Sequence, residues 1–275
     1  MGRGMNDGEM TFWEHLDELR GVVMRMGVTV MVAAVGLFSV MPMVFDRVIL
    51  AATRGDFALY GLMGGLAARF GGEDMAFAGE DWHMGLINTE LASQLYTHIS
   101  VSCQLAVVLT FPLLMYLLWG FISPALYPVE RRRSAGIFVA GCLLFYVGLA
   151  VGYWIVFPLT LRFLADYQLS EAIVNTITLG SYMDNFTSIL FVMGVVFEIP
   201  VIAWGLGKAG VIDRGFFSRF RRHAVTGLVI AAAVITPTSD PFTLAVVFFP
   251  LYLLWEVSSM LVPRGERVVR GAQVY

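Results

Sequence analysis

Charge is scarce in this 275-residue chain, where Asp, Glu, Lys and Arg make up 14% of all residues, against about 25% in soluble proteins. The only lysine is Lys208, and the net charge of −3 argues against a nucleic-acid partner. Two cysteines are too few for a disulfide scaffold. Hydrophobic residues reach 58% and aromatic residues 13%, which excludes a disordered chain. The composition therefore predicts a polytopic membrane protein embedded in the lipid bilayer.

Sequence motifs for cofactor or catalytic chemistry are also missing. There is no G-x-x-x-x-G-K-[ST] loop, no G-x-G-x-x-G after a strand, no H-E-x-x-H and no paired C-x-x-C. The four histidines are scattered along the chain, which is a poor arrangement for a metal site. Cys103 and Cys142 fall inside apolar stretches, where we expect small packing residues. We predict no cofactor, no metal and no enzymatic site.

Six apolar stretches are candidates for membrane-spanning helices. Four of them have the length of about 20 residues that a spanning helix needs, namely residues 22–45, 99–121, 134–161 and 185–207. The polar first 18 residues lack the features of a signal peptide, so we expect the first stretch to remain as an anchor. The glycine pair Gly148 and Gly152 has the spacing of a close helix-packing face, although this signal is weak.

The last two stretches, residues 224–239 and 241–255, are shorter. The first of them has about 13 good apolar residues, which span about 20 Å of a hydrocarbon core about 30 Å thick. With Asp240 and two prolines at the turn, the pair reads as a short helical hairpin. Mismatch of this kind is relieved by local thinning of the bilayer or by packing against longer neighbours.

The distribution of basic residues predicts the orientation, because cytoplasmic segments are rich in Arg and Lys. With a cytoplasmic N-terminus, the inner side holds most of the basic residues: Arg3, Arg20, Arg25, Arg131, Arg132, Arg133, Lys208, Arg214, Arg219, Arg221, Arg222, Arg264, Arg267 and Arg270. We predict an all-α integral membrane protein with six transmembrane helices, the last two short, and both ends cytoplasmic. It forms a single transmembrane domain over residues 1–275.

The segments outside the spans have distinct characters. Residues 1–21 form a cytoplasmic amphipathic N-terminus, residues 46–97 a long external loop, and residues 261–275 a cytoplasmic tail. Within the external loop we expect a flexible tip at residues 71–74 and helical segments along the membrane surface around residues 57–70.

Three acidic positions stand out. Glu198 lies in the middle of the fourth stretch, where an ionisable group is costly and usually faces a cavity or a partner, and Pro200 disturbs the helix nearby. The alternative is a protonated Glu198 bonded to a neighbouring hydroxyl group. Glu130 precedes an arginine cluster, and the alternative there is an ordinary surface carboxylate. Glu18 belongs to an amphipathic segment, for which the alternative is a helix at the inner membrane surface.

Several motifs occur together in order along nearly the whole chain, and this combination resembles the TatC family of the twin-arginine protein translocase. The matching motifs are H-L-D-E-L-R at residues 15–20, F-P at 111–112, F-I-S-P-A-L-Y at 121–127, E-R-R at 130–132, L-F-Y at 144–146, F-P-L at 157–159, F-E-I-P at 197–200 and T-P followed by S-D-P-F at 236–242. The chain departs from the family's pattern in its longer first external loop and in T-P-T-S-D-P where the family has T-P-P-D.

The resemblance implies a receptor in the bacterial cytoplasmic (inner) membrane that exports folded proteins by using the proton-motive force. It implies that Glu130 and Glu18, with Phe111 and Arg20 near the same surface, bind the twin-arginine signal peptide. A carboxylate can take each arginine of that peptide bidentately, which an ammonium group cannot match.

The same resemblance implies partners and further site residues. Glu198 and Pro200 would face a membrane cavity and meet the helix of a small single-span subunit of the TatA or TatB type. Asp240 would lie in the last external turn, and other TatC copies would be partners in the assembly.

Two other classes of protein remain open on the residues alone. A proton-coupled transporter of small solutes would need a second ionisable residue at membrane depth and broken helices in paired halves. An intramembrane enzyme would need a nucleophile with its base, or metal ligands, at one depth.

Overall fold

The computed structural model describes residues 12–70, 84–122, 128–170, 175–208, 210–236 and 240–262. The described chain is almost entirely helical, which confirms the predicted all-α class. Its helices are α1 (Phe12–Arg47), α2 (Ala58–Phe70), α3 (Ser93–Ile122), α4 (Pro128–Val151), α5 (Phe157–Asp166), α6 (Leu179–Val196), α7 (Ile199–Lys208), α8 (Arg214–Ile235) and α9 (Pro241–Leu261). A 3-10 helix covers Ile49–Thr53, and a π-helical turn, Gly152–Val156, joins α4 to α5. The short strands β1 (Leu86–Ile87) and β2 (Ile177–Thr178) pair in parallel.

Within this part of the chain, five helical stretches are long and apolar enough to cross a membrane. They are Leu16–Thr53, Ser93–Phe121, Gly136–Asp166, Leu179–Lys208 and Pro241–Leu261. They overlap the first four predicted spans and the sixth. The chain is therefore a multi-pass membrane protein, as its composition predicts.

Helix α8 is not among these five, although its 22 residues make it as long as α9 with 21. Its first half carries the charged residues Arg214, Arg219, Arg221 and Arg222. Its apolar half, from Ala224 to Ile235, has about 12 residues and measures only about 18 Å. The predicted fifth span is thus a helix whose apolar part is short, as the sequence indicates.

The helices divide into two compact units. The first comprises Met1–Phe45 and Gln94–Cys142, and the second comprises Asp46–Ser93 and Leu143–Tyr275. Helices α1 and α4 continue from one unit into the other.

In the first unit, a proline in α1 creates a contact with α3. Pro42 has no N–H group, so the carbonyl of Phe38 loses its partner in the helix. The Nε2 atom of His98, on α3, lies 2.8 Å from that carbonyl oxygen and serves as the missing donor. The rings of Phe38 and His98 also stack, with centroids 3.8 Å apart. This contact ties the two helices together near one end.

In the second unit, three tyrosines hold the backbone that follows α1. The hydroxyl of Tyr153 donates to the carbonyl of Val48 at 2.8 Å, and the hydroxyl of Tyr182 donates to that of Ile49. Tyr60 donates to the carbonyl of Ala52 at 3.0 Å. These carbonyls belong to or adjoin a short 3-10 helix and have few donors of their own. The start of the predicted external loop is therefore a buried, hydrogen-bonded structure.

Close packing of α4 and the π-helical turn on α6 depends on glycine. A Cβ atom on Gly148 would lie 2.5 Å from the carbonyl oxygen of Met193, and one on Gly194 would lie 2.8 Å from the ring of Phe145. Both distances are too short for real contacts, so only glycine fits. A Cβ on Gly152 would lie 3.2 Å from Met193. The predicted packing face at Gly148 and Gly152 is confirmed.

The ends of α7 and α8 are set by local chemistry. The backbone of Gly210 has a φ of 73°, a conformation that favours glycine, and its N–H donates to the carbonyl of Gly207. Asp213 then caps α8, because its carboxylate accepts from the N–H of Phe216 at 2.8 Å. The two helices are thereby joined by a tight turn.

Helices α7, α8 and α9 pack around a small cluster. Ala203 and Phe217 are buried in it, and Trp255 packs on its edge. On the exposed side, Arg221 Nη2 lies 2.6 Å from Glu256 Oε1. The ion pair links the charged half of α8 to the end of α9.

Candidate functional site

The four residues expected to bind a signal peptide all lie in the first unit. Glu18 and Arg20 stand in the second and third turns of α1, and Phe111 lies in the middle of α3, just before Pro112. Glu130 is the third residue of α4, although its side chain lies outside the described residues. Glu18 is half-buried, Arg20 is exposed, and Phe111 is half-buried with contacts of its own.

The amphipathic N-terminal segment is continuous with the first span. A single helix runs from Phe12 to Arg47 and measures about 54 Å. It is not a separate helix lying along the membrane surface. Glu18 and Arg20 therefore extend the first span beyond its apolar part, and their carboxylate and guanidinium groups stand at its polar end.

Glu198 lies in a break of the fourth span. Helix α6 ends at Val196, and α7 begins at Ile199, so Phe197 and Glu198 form a turn between them. The cause is Pro200, which has no N–H to donate to the carbonyl of Val196. The N–H of Glu198 instead donates to the carbonyl of Val195 at 3.1 Å. The local disturbance predicted from Pro200 is thus a true interruption of the helix.

The carboxyl group of Glu198 is incompletely satisfied. Among the described residues, its Oε1 atom is buried and has no hydrogen-bond partner. An unpaired polar atom at membrane depth is costly, since no water is present to compensate for it. The expected alternative, a hydrogen bond to a neighbouring hydroxyl, is therefore not made by Oε1 within this part of the chain.

The position of Glu198 is firmly set by packing. Its neighbour Phe197 is buried against Gly148, where any Cβ atom would lie 2.8 Å from the Phe197 side chain. The break is thus fixed against α4, and this packing holds the backbone of Glu198 in place.

Asp240 acts as a helix cap. Its Oδ1 atom accepts from the N–H of Thr243 at 2.7 Å, and Pro241 occupies the first position of α9. Residues 237–239 of the predicted external turn lie outside the described residues. A structural reason thus accounts for an aspartate at this position.

One buried charge was not apparent from the sequence. Arg162, in the middle of α5, is 5% exposed, and its Nε atom donates to Asp166 Oδ2 at 2.8 Å. Its guanidinium carbon lies 5.8 Å from the ring centroid of Tyr60. The i, i+4 spacing of Arg162 and Asp166 is the signal that could have revealed this pair. Burial raises the pKa of the Tyr60 hydroxyl, which therefore remains a protonated donor.

The remaining predictions concern metal ligands, the first external loop and the C-terminal tail. Within the described ranges, no group of three or more His, Cys, Asp and Glu residues could hold a metal ion. The predicted helical segment around residues 57–70 is present as α2. The flexible tip at residues 71–74 lies outside the described residues, as does the tail after residue 262.

Comparison with known proteins gives one family. Residues 14–250 match the family model for TatC, described as the Sec-independent protein translocase protein. A protein of that description from Blattabacterium sp. subsp. Periplaneta americana is 30% identical over 250 residues, which cover 91% of this chain and 94% of the relative. The Escherichia coli (strain K12) protein of the same description is 33% identical over 172 residues, covering 62% of this chain and 66% of the relative.

Two solved structures share the fold. A crystal structure described as the twin-arginine translocase receptor TatC is 26% identical, has a TM-score of 0.68, and is matched over 90% of this chain and 97% of its own. A second, of the same receptor in the detergent DDM, is 25% identical and has a TM-score of 0.72, with 90% and 99% coverage.

Proposed function

Since the chain belongs to the TatC family of Sec-independent protein translocase proteins, we propose that it is the receptor and core subunit of a twin-arginine translocase. It binds twin-arginine signal peptides of folded proteins at the cytoplasmic side of the bacterial inner membrane. Export is then driven by the proton-motive force. The observation that carries this proposal is the placement of Glu18 and Glu130, which stand at polar helix starts in one compact unit.

The chemistry of these two residues suits a dibasic ligand. An arginine guanidinium presents two parallel N–H groups that match the two oxygens of a carboxylate. Glu18 offers such a carboxylate near the start of α1, close to the exposed Arg20, and Glu130 offers another near the start of α4. Lysine cannot make the same bidentate contact. Two carboxylates would therefore favour an Arg-Arg peptide over a Lys-Lys peptide.

In the proposed topology the chain crosses the membrane six times. Five are the long apolar helices, and α8 is the sixth, with its arginine-rich half at the cytoplasmic surface. This arrangement places both chain ends on the cytoplasmic side. The short apolar part of α8 would thin the bilayer locally.

Glu198 gives the proposed contact with a small single-span partner of the TatA or TatB type. Its buried Oε1 atom, without a hydrogen-bond partner among the described residues, supports such a contact. A polar side chain on the partner's helix would satisfy the carboxyl group. Further copies of this chain would complete the assembly.

Binding of a signal peptide is the direct test. The purified full-length protein should bind an Arg-Arg signal peptide at least about tenfold more tightly than the same peptide with Lys-Lys, because hydrogen bonds to charged groups contribute about 1.5–3 kcal/mol each. Fluorescence anisotropy of a labelled peptide measures the difference. Equal affinities for the two peptides would overturn the proposal.

Charge-neutral variants locate the site. Glu130→Gln and Glu18→Gln should each abolish or severely reduce export of a twin-arginine substrate while the protein still inserts into the membrane. Asp17→Asn is the matched control, since it removes a carboxylate from the same turn of α1 as Glu18 and should preserve export. Normal export by the Glu130→Gln protein contradicts the assignment.

Cross-linking along the fourth span tests the partner contact. Photoreactive residues placed around Glu198 should cross-link to the single-span subunit from the face that carries the carboxyl group. Cross-links from the opposite face only would refute the role of Glu198 while leaving signal-peptide binding untouched.

A further inference from the structure

Helices α1 and α3 of the first unit enclose an apolar groove of about 870 Å³. On α1 it is lined by Val23, Gly27 and Met31, among others, and on α3 by Ile99 and Cys103. It extends from Val23 to Ser39, which is about 24 Å along the helix. This length approaches the thickness of the hydrocarbon core.

The walls of the groove are formed mostly by apolar side chains. The hydroxyl of Ser102, one of its few polar side chains, donates to the carbonyl of His98 within α3 at 2.7 Å. Several lining side chains are largely exposed, with Val23 at 56% and Met31 at 69%. In a bilayer no water fills such a space, so hydrocarbon must cover it.

The two ends of the groove differ in chemistry. At one end stands Phe38, which lines the groove and stacks on His98. At the other end, Arg20 precedes Val23 by three residues and Gly27 by seven, so it lies on the same face of α1 as the groove. Arg20 is exposed, and it stands one helical turn beyond the last apolar lining residue. The positive charge of Arg20 therefore lies just beyond the apolar lining of the groove, on the same face of α1.

From this juxtaposition, we propose that the α1–α3 groove binds an anionic phospholipid, with an acyl chain along the groove and the phosphate paired with Arg20. An apolar channel with one cationic end matches the chemistry of such a lipid. The cationic end therefore favours a lipid phosphate over the uncharged, apolar helix of a protein partner.

Lipid retention by the detergent-purified full chain tests the proposal, in the absence of any signal peptide. The protein is incubated with phosphatidylglycerol or with phosphatidylcholine of the same acyl chains, and bound lipid is measured by native mass spectrometry. Phosphatidylglycerol should be retained about fivefold more, the preference expected from one basic residue near a lipid phosphate. Arg20→Gln should abolish this preference. Equal retention of both lipids by the unmodified protein overturns the proposal.

A matched pair of glycine variants distinguishes the effect of added volume in the groove from that of added volume elsewhere on α1. A Cβ atom on Gly27 or on Gly36 meets nothing within 4 Å, so neither backbone position is crowded by a neighbour. Gly27→Leu fills the groove and should reduce retention of phosphatidylglycerol to the level of phosphatidylcholine. Gly36→Leu, on the opposite face of α1, should retain the lipid like the unmodified protein. Equal retention by the two variants contradicts the proposal.

A second measurement needs no bulky substitution in the groove. Cys103 lines the groove and is exposed. In a Cys142→Ser protein, phosphatidylglycerol should slow the reaction of Cys103 with a small maleimide, and phosphatidylcholine should not. Protection by added protein copies or by a single-span peptide, without protection by lipid, would assign the groove to a helix instead and refute the proposal.

Discussion

The two units of this protein bury their apolar surface to different extents. The share of the most apolar window that is buried is 11% in Leu16–Thr53 and 17% in Ser93–Phe121. It is 28% in Gly136–Asp166 and 33% in Leu179–Lys208. The first unit thus leaves most of its helix surface to lipid or to partners. The second packs tightly enough to require glycine at Gly148 and Gly194. Similar hydropathy therefore accompanies two different packing densities.

The largest effect is expected from adding volume to the tight interface of the second unit. Gly148→Leu should destabilise the protein by about 3 kcal/mol, because even a Cβ atom there approaches the Met193 carbonyl oxygen to 2.5 Å. Gly36→Leu in the first unit should change stability by much less, since its Cβ meets nothing within 4 Å. Thermal unfolding in one detergent compares the two variants. Equal losses of stability would remove the distinction between the units.

A smaller loss should follow when one of the tyrosine hydroxyls is removed. Tyr182→Phe leaves the ring in place but deprives the Ile49 carbonyl of its donor, which should cost about 1–2 kcal/mol. Tyr116→Phe is the control, because that tyrosine is 69% exposed. The same unfolding experiment measures both. A Tyr182→Phe protein as stable as the control would show that the buried carbonyl needs no partner.

In the first unit, the link between α1 and α3 should contribute less. His98→Phe keeps an aromatic ring against Phe38 but removes the donor to its carbonyl, with an expected cost of about 1 kcal/mol. Combining His98→Phe with Pro42→Ala, which restores the N–H group of the helix, should recover the loss. The double variant fails this expectation if it is no more stable than His98→Phe alone.

The smallest effect is expected at the surface of the second unit. Arg221 is 59% exposed in its ion pair with Glu256, and exposed pairs contribute little to stability. Arg221→Gln should therefore unfold within the experimental scatter of the unmodified protein at low and high salt. A loss of stability as large as that of Tyr182→Phe would mean that the packing of α8 on α9 depends on the ion pair.

Much of the fold could be predicted from the sequence because long apolar runs have one stable arrangement in a bilayer, the helix. The spans and the break near Pro200 follow from residue type alone, and the packing face at Gly148 and Gly152 follows from spacing. Contacts between distant segments could not be predicted. The donation from Tyr182 to Ile49 joins residues 133 positions apart, and no local pattern reveals it.

The candidate site was predictable in part for the same reason. The motifs locate Glu18 and Glu130 along the chain. They do not reveal that Glu18 belongs to the same continuous helix as the first span. The buried state of Arg162 depends on Tyr60, which arrives from another segment. Among the described residues, Oε1 of Glu198 has no hydrogen-bond partner, and this depends on neighbours in space that the sequence does not show.

In the proposed contact, the interruption of the fourth span at Glu198 would fix the depth at which a partner helix places its polar residue. Moving that residue by one turn would displace it by about 5.4 Å, beyond hydrogen-bond reach. Helices of equal hydropathy would thus be distinguished by where along their length the polar residue lies.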